Sequence, residues 1–132
     1  MDGVIDWRTL PDRDGFTLTA RKYHDTDSTP DDYECYTPKQ VTAWQQDQWQ
    51  FVGLVVTASV DGIELGTADL WSIEDGLFTA TDEHDNVTRV LDLDCLHDDD
   101  YLTDLVTEAI TVARVNIELI CAKVAPAPAV KK

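Results

Sequence analysis

Gln50-Phe-Val-Gly-Leu-Val-Val-Thr-Ala-Ser-Val60, running through Asp61-Gly62 into Ile63-Glu-Leu-Gly-Thr-Ala68, decides the fold class of this chain. Val52, Leu54, Val56, Ala58 and Val60 alternate onto one wholly apolar face, the period of a strand with one side against a core. Asp61-Gly62 supplies the two positive-φ residues of a type I′ turn, so the chain reverses as a hairpin. A two-residue loop sets Val60 opposite Ile63 and Ala58 opposite Leu65, with Gly66 marking a bulge.

Flanking segments extend this sheet. Phe16-Thr-Leu-Thr-Ala-Arg-Lys-Tyr23 alternates after Asp14-Gly15 and reads as the first strand. Leu77 to Thr81 and Val87 to Leu93 form another hairpin across the polar turn Asp82 to Asn86. Leu70-Trp-Ser-Ile73 is apolar enough to pack, but its pattern does not separate strand from turn. The polar stretch Asp25 to Asp32 reads as a solvated loop.

Two helices accompany the strands. Thr37-Pro-Lys-Gln40 fits a capping box with proline at the first helical position, which starts a short helix from Pro38 to about Asp47, with Val41 and Trp44 inward. Asp98-Asp-Asp100 offers an N-cap and favourable charge for a second helix. Leu102, Leu105, Val106, Ala109, Ile110, Ala113, Ile117, Ile120 and Cys121 recur at three and four, so Tyr101 to about Lys123 is one amphipathic helix covering the sheet. Asn116 falls within that stripe, at a packing gap or a subunit contact. The expected fold is α+β: an antiparallel sheet of about four to five strands, a short helix, and a long C-terminal helix packed on the sheet. Residues 1–124 form one domain, followed by an extended Ala/Pro/Lys tail over 125–132.

Charge is the second signal. The 132 residues carry 26 acidic and 10 basic side chains, a net charge of −16. Eleven acids (Glu74, Asp75, Asp82, Glu83, Asp85, Asp92, Asp94, Asp98, Asp99, Asp100, Asp104) fall within 31 residues that hold one base, Arg89. Such a field disfavours nucleic acids and anionic membranes as direct partners, because phosphate binding relies on Lys and Arg releasing counterions. Twenty of the acids are Asp and six Glu, a bias that salt adaptation or a high-GC genome also produces.

Motifs for catalysis or cofactors are missing from the sequence. Calcium loops started at Asp25 or Asp92 fail, with Pro30 and His97 where glycine is needed. Cys95-Leu-His97 lacks the second ligand pair of a structural zinc site. Cys35, Cys95 and Cys121 are an odd set without paired spacing, read as reduced, buried thiols. His24, His84 and His97 lie in acidic, exposed stretches. No phosphate-cradling glycine loop or nucleophile elbow occurs. A non-enzymatic protein without metal or cofactor is expected. The N-terminus has neither the basic start nor the apolar core of a signal peptide, and no apolar run approaches the ~20 residues of a membrane span. A cytoplasmic protein is the expectation. Tyr33, Tyr36, Trp44, Trp49 and Phe51 read first as a satellite core around the short helix; a nucleotide pocket using Trp44, Trp49, Lys22 and Lys39 is the remote alternative.

The order Tyr36-Thr-Pro-Lys-Gln-Val-Thr-Ala-Trp44, Trp49-Gln-Phe-Val-Gly-Leu-Val-Val56, Glu64-Leu-Gly66, Leu70-Trp-Ser-Ile-Glu74 and Asp100-Tyr-Leu102 resembles small acidic proteins of unassigned function encoded by actinobacterial phages. The similarity spans roughly Tyr36 to Leu119, with a longer stretch here between Glu74 and Asp100. It implies a phage and its host's cytoplasm as context, and no activity. Charge and resemblance together lead to the expectation of an acidic inhibitor that imitates DNA. Its partner would be a basic host protein that binds nucleic acid, such as a defence enzyme. Asp82, Glu83, Asp85, Asp92, Asp94, Asp98, Asp99 and Asp100 would form the partner-binding surface. The alternative is a structural or housekeeping interaction protein, acidic for solubility, that dimerises through the helix near Asn116.

Overall fold

A computed structural model describes residues 3–124. Five strands, β1 (Val4–Arg13), β2 (Phe16–His24), β3 (Trp49–Val60), β4 (Ile63–Thr81) and β5 (Val87–Leu93), form one antiparallel sheet in sequence order. Helix α1 (Pro38–Gln45) lies between β2 and β3, and α2 (Asp99–Val124) follows β5. The expected α+β fold is the one observed, although β1 was not foreseen and takes the place of Phe16–Tyr23 as first strand. In β1 only Leu10 is buried, and Pro11 and four charged side chains obscure its alternation. The tail from residue 125 lies outside the described residues.

Sheet and α2 share the main core. Leu18, Ala20, Val52, Leu54, Val56 and Ala58 meet Leu102, Leu105, Val106, Ala109, Ile110 and Ala113. The Asp61-Gly62 turn forms as expected, with both residues at positive φ and Val60 opposite Ile63. Ala58, however, pairs with Gly66 rather than Leu65, because a bulge after Glu64 uses one extra residue. The helix explains the shift. A Cβ at position 66 would stand 2.4 Å from the Ala109 carbonyl oxygen and 2.4 Å from the Ala113 nitrogen, so only glycine lets α2 approach this closely. Asn116 completes the joint, its Nδ2 donating to the Leu65 carbonyl at 2.7 Å. That fixes Asn116 as a clamp between helix and bulge.

Leu70–Ile73 continues β4, with a second bulge. Val52 pairs with Ile73 and Leu54 with Leu70, leaving Gly53 facing both Trp71 and Ser72, and Ser72 is forced to φ 61°. On the α1 side a smaller core gathers Ala43, Trp49 and Phe51 with Tyr36, Trp44 and Phe78. Trp49 meets Phe51 and Phe78 edge-on at centroid distances of 5.1 Å each. The capping box is present. Gln40 accepts from the Thr37 N–H at 2.9 Å and donates to the Thr79 carbonyl at 2.9 Å, so Gln40 and Ala43 turn inward while Val41 and Trp44 stay half-buried. Trp44 packs on this core as expected, but the deepest positions of the inner face are Gln40 and Ala43 rather than Val41 and Trp44, because one amide satisfies both the helix start and β4.

The apolar stripe of α2 outlasts the sheet. Burial ends at Ala113, Ile117 is half-buried, and Ile120 and Cys121 are exposed rather than packed as expected. Among the described residues no helix is long and apolar enough to cross a membrane.

Gly66→Ala is expected to lower unfolding free energy by about 2 kcal/mol through backbone overpacking. Asn116→Ala is expected to cost about 1 to 2 kcal/mol by orphaning a half-buried carbonyl. Urea unfolding midpoints at constant slope check both.

Candidate interaction surface and its buried anchor

Lys22 follows Phe16, Leu18 and Ala20 in the same alternation, so the strand period that buries those residues buries the lysine too. Its Nζ lies 2.8 Å from Asp75 Oδ1 on β4 and 2.7 Å from Asp94 Oδ1 just after β5. The Asp75 oxygen is fully buried and, among the described residues, has no partner besides this ammonium. Burial works to strip the Lys22 proton, but the two carboxylates outweigh it and hold the ammonium above its ordinary value. Burial likewise works to raise Asp94, yet Lys22 and the Leu96 N–H hold its carboxyl below the usual range. The turn Cys95–His97 is thereby locked down: Asp94 accepts from Leu96 N at 3.0 Å, and Arg8 of β1 donates to the Leu96 carbonyl at 2.7 Å.

Asp75, Asp94 and Cys95 bring ligand atoms within 4.8 Å of one another, a grouping the sequence reading missed. The Lys22 ammonium already sits against both carboxylates, and burial pushes the Cys95 thiol up to about 12. A protonated thiol is a poor metal ligand. The site's chemistry is that of an internal ion pair. Cys35 and Cys121 are exposed, against the expectation of buried thiols, because Cys35 lies in a surface loop and Cys121 on the overhang of α2.

The acidic segment divides into two groups at the ends of β5. Asp82, Glu83 and Asp85 occupy the β4–β5 turn; Asp92, Asp94, Asp98, Asp99 and Asp100 cluster where β5 gives way to α2. The strand residues Val87 to Leu91 lie between Asp85 and Asp92 and separate the groups by roughly 20 Å. Four of the eight have internal duties. Asp82 accepts from the His84 and Asn86 amides, each at 2.9 Å, and the Asn86 bonds lead in holding its carboxyl below the usual value. Asp85, at φ 62°, accepts from the Lys39 N–H at 3.3 Å. Asp94 pairs with Lys22, and Asp98 caps α2 by accepting from Asp100 N and Tyr101 N. Glu83 faces only His84, whereas Asp92, Asp99 and Asp100 have no cationic partner among the described residues.

A separate polar knot closes the bulge of β4. Asp25 Oδ2 accepts from Ser28 Oγ and Ser72 N, each at 2.9 Å, and the Tyr33 hydroxyl donates to Ser72 Oγ at 2.9 Å. Burial pulls the Asp25 carboxyl upward, but these bonds hold it below its ordinary value. A carboxylate so engaged is a weak base, so Ser72 is a structural hydroxyl at the bulge. The nucleotide pocket does not assemble. Trp49 is buried and its indole N–H is spent on the Gln40 carbonyl at 2.9 Å, while Lys22 is committed to its two carboxylates. The aromatic residues form a core instead.

No family model matches the chain, and no curated protein or solved structure is significantly similar to it. Function rests on the residues themselves.

Lys22→Met is expected to cost about 3 to 5 kcal/mol, because it leaves the Asp75 charge buried and unpaired. Lys22→Met/Asp75→Leu is expected to recover most of that loss, as urea titrations will read. Stability also depends on pH at both extremes. The Lys22 contribution is complete below its ordinary 10.5 and disappears as pH rises through the higher folded value. That of Asp94 is complete above 3.8 and disappears as pH falls through the lower folded value. Melting temperature across pH 2 to 12 checks both limbs, and the alkaline fall is expected to shrink in the double variant to the part set by Tyr36, Tyr101 and Cys95, whose burial makes them harder to ionise in the fold than in the unfolded chain.

Proposed function

We propose that this chain is a non-enzymatic, phage-encoded acidic protein that binds a basic, nucleic-acid-binding protein of the host and blocks it by offering carboxylates in place of phosphates. The single observation carrying the reading is the unneutralised state of Asp92, Asp99 and Asp100 on a segment whose neighbours are pinned by Lys22 and by helix and turn caps. Asp82, Asp85, Asp94 and Asp98 shape the segment; Glu83, Asp92, Asp99 and Asp100 face solvent and meet the partner. The two acidic groups are separated by a length of about six base-pair steps of duplex DNA. Rigid carboxylates at that span compete for a basic groove with no loop-ordering cost, and the long-range field speeds encounter at low ionic strength. The sequence resemblance supplies the phage context, and a host defence enzyme is the partner that context favours.

A different surface favours the second reading, an interaction protein that pairs through α2. Leu119, Ile120 and Val124 are each about half exposed or more on the overhang of the helix. Acidity would then serve solubility alone.

Simultaneous substitution of Glu83, Asp92, Asp99 and Asp100 by lysine separates the two. In pull-downs from host lysate at low salt, the wild-type chain is expected to retain a DNA-binding protein that molar salt or competing duplex DNA releases. The lysine variant, folded by circular dichroism, is expected to retain none. Equal capture by the variant, or a captured protein indifferent to DNA, contradicts imitation of phosphate.

A further inference from the structure

The two edges of the sheet are built differently. β1 carries irregularities at both ends of its pairing with β2, a proline at position 11, and the charged side chains Asp6, Arg8, Asp12 and Arg13. These are the devices by which natural sheets discourage a further strand. β5 has fewer of them, its charged side chains being Arg89 and Asp92. From Arg89 to Leu93 it pairs residue by residue with Ala80 to Gly76, its one irregularity lying at its start, and it contains neither proline nor lysine. Val87 and Val90 are 51% and 59% exposed, and Leu77 on the neighbouring strand 51%. β5 is the last strand of the sheet, so its outer row of N–H and C=O groups has no strand partner among the described residues.

We propose that the outer edge of β5 is a strand-addition site for an extended, basic segment of the partner protein. The inference rests on the reading of a basic partner above and names how that partner is held. Alternate backbone groups of β5 would supply main-chain hydrogen bonds, and the exposed Val90 would receive an apolar side chain of the incoming strand. Charge selects the occupant. Asp82, Glu83 and Asp85 stand before the strand, Asp92 lies near its end, and Asp94, Asp98, Asp99 and Asp100 follow it, with Arg89 the only Lys or Arg between. A second copy of this chain docking by its own β5 would set these acids against the same acids, at a repulsive cost that an arginine on each side cannot offset. A segment alternating lysine or arginine with β-branched residues meets both the edge and the field.

The test uses the full chain with two synthetic probes: a blocked (Lys-Val)4 peptide, and the same peptide N-methylated at every residue, which keeps its charges but loses its backbone donors. Expected are binding of the first at low salt, slowed hydrogen exchange at alternate amides between Val87 and Leu93, and affinity lower by about tenfold or more for the methylated peptide. Val90→Lys, at an exposed position that leaves the core untouched, is expected to lower affinity for the first peptide similarly. Equal binding of the two peptides, protection that falls elsewhere, or no binding of the first peptide overturns the proposal. Loss of the proposed function is told apart from loss of this mode by the pull-down: if Val90→Lys captures the DNA-binding protein as wild type does, the basic partner stands and strand addition falls.

Discussion

One ammonium group holds together parts of the chain that the sheet alone would leave loosely related. Lys22 Nζ, enclosed at the end of the main core, draws β2, β4 and the segment after β5 onto a single point through Asp75 and Asp94. The Asp75 carboxylate could not be buried alone, since an uncompensated charge in the interior costs several kcal/mol, and the half-exposed Asp94 closes the ammonium from the other side. A lysine on the core face of β2 therefore requires acids, and the acids fix where β5 ends and α2 begins. The Cys95–His97 turn, the Arg8 bond to Leu96 and the Asp98 cap on α2 all follow within a few residues of that pair.

This constraint separates carboxylates that build the molecule from those that face outward. An unpaired aspartate on a mobile loop loses its potential to conformational averaging; one beside a capped helix and a buried ion pair does not. Asp99 and Asp100 lie in the first turn of α2, immediately after the Asp98 cap, where the helix dipole also favours negative charge. Asp92 lies on β5, two residues before Asp94. The acid surplus is thus organised by the same contacts that stabilise the fold, and its solvent-facing members inherit that rigidity.

Much of the fold could be read from residue patterns. Alternation in Gln50–Val60, the Asp61-Gly62 turn, the Thr37 capping box and the three-and-four spacing after Tyr101 each report local backbone physics, and each element formed. Features set by tertiary approach were not legible. The bulge that moves Gly66 opposite Ala58 exists because α2 passes within 2.4 Å of a would-be Cβ, and nothing in Glu64-Leu-Gly66 encodes the distance of a helix 40 residues later. β1 was hidden because an edge strand with one buried side chain carries little period-two signal. For the site, the clustering of acids was legible and their division of labour was not. Lys22 was the available signal: its phase with Phe16, Leu18 and Ala20 implies burial, and a buried lysine implies carboxylates from elsewhere in the chain.

Native-state hydrogen exchange on the wild-type chain and Lys22→Met, residue by residue under mild denaturant, addresses the role of this ion pair most directly. If the ammonium anchors the acidic segment, the variant loses protection together from Val87 through Leu102 while amides of β2 and β3 stay protected. Unchanged protection at Leu96 and across the start of α2 would contradict it, and would leave the carboxylates without the rigid support on which their proposed use depends.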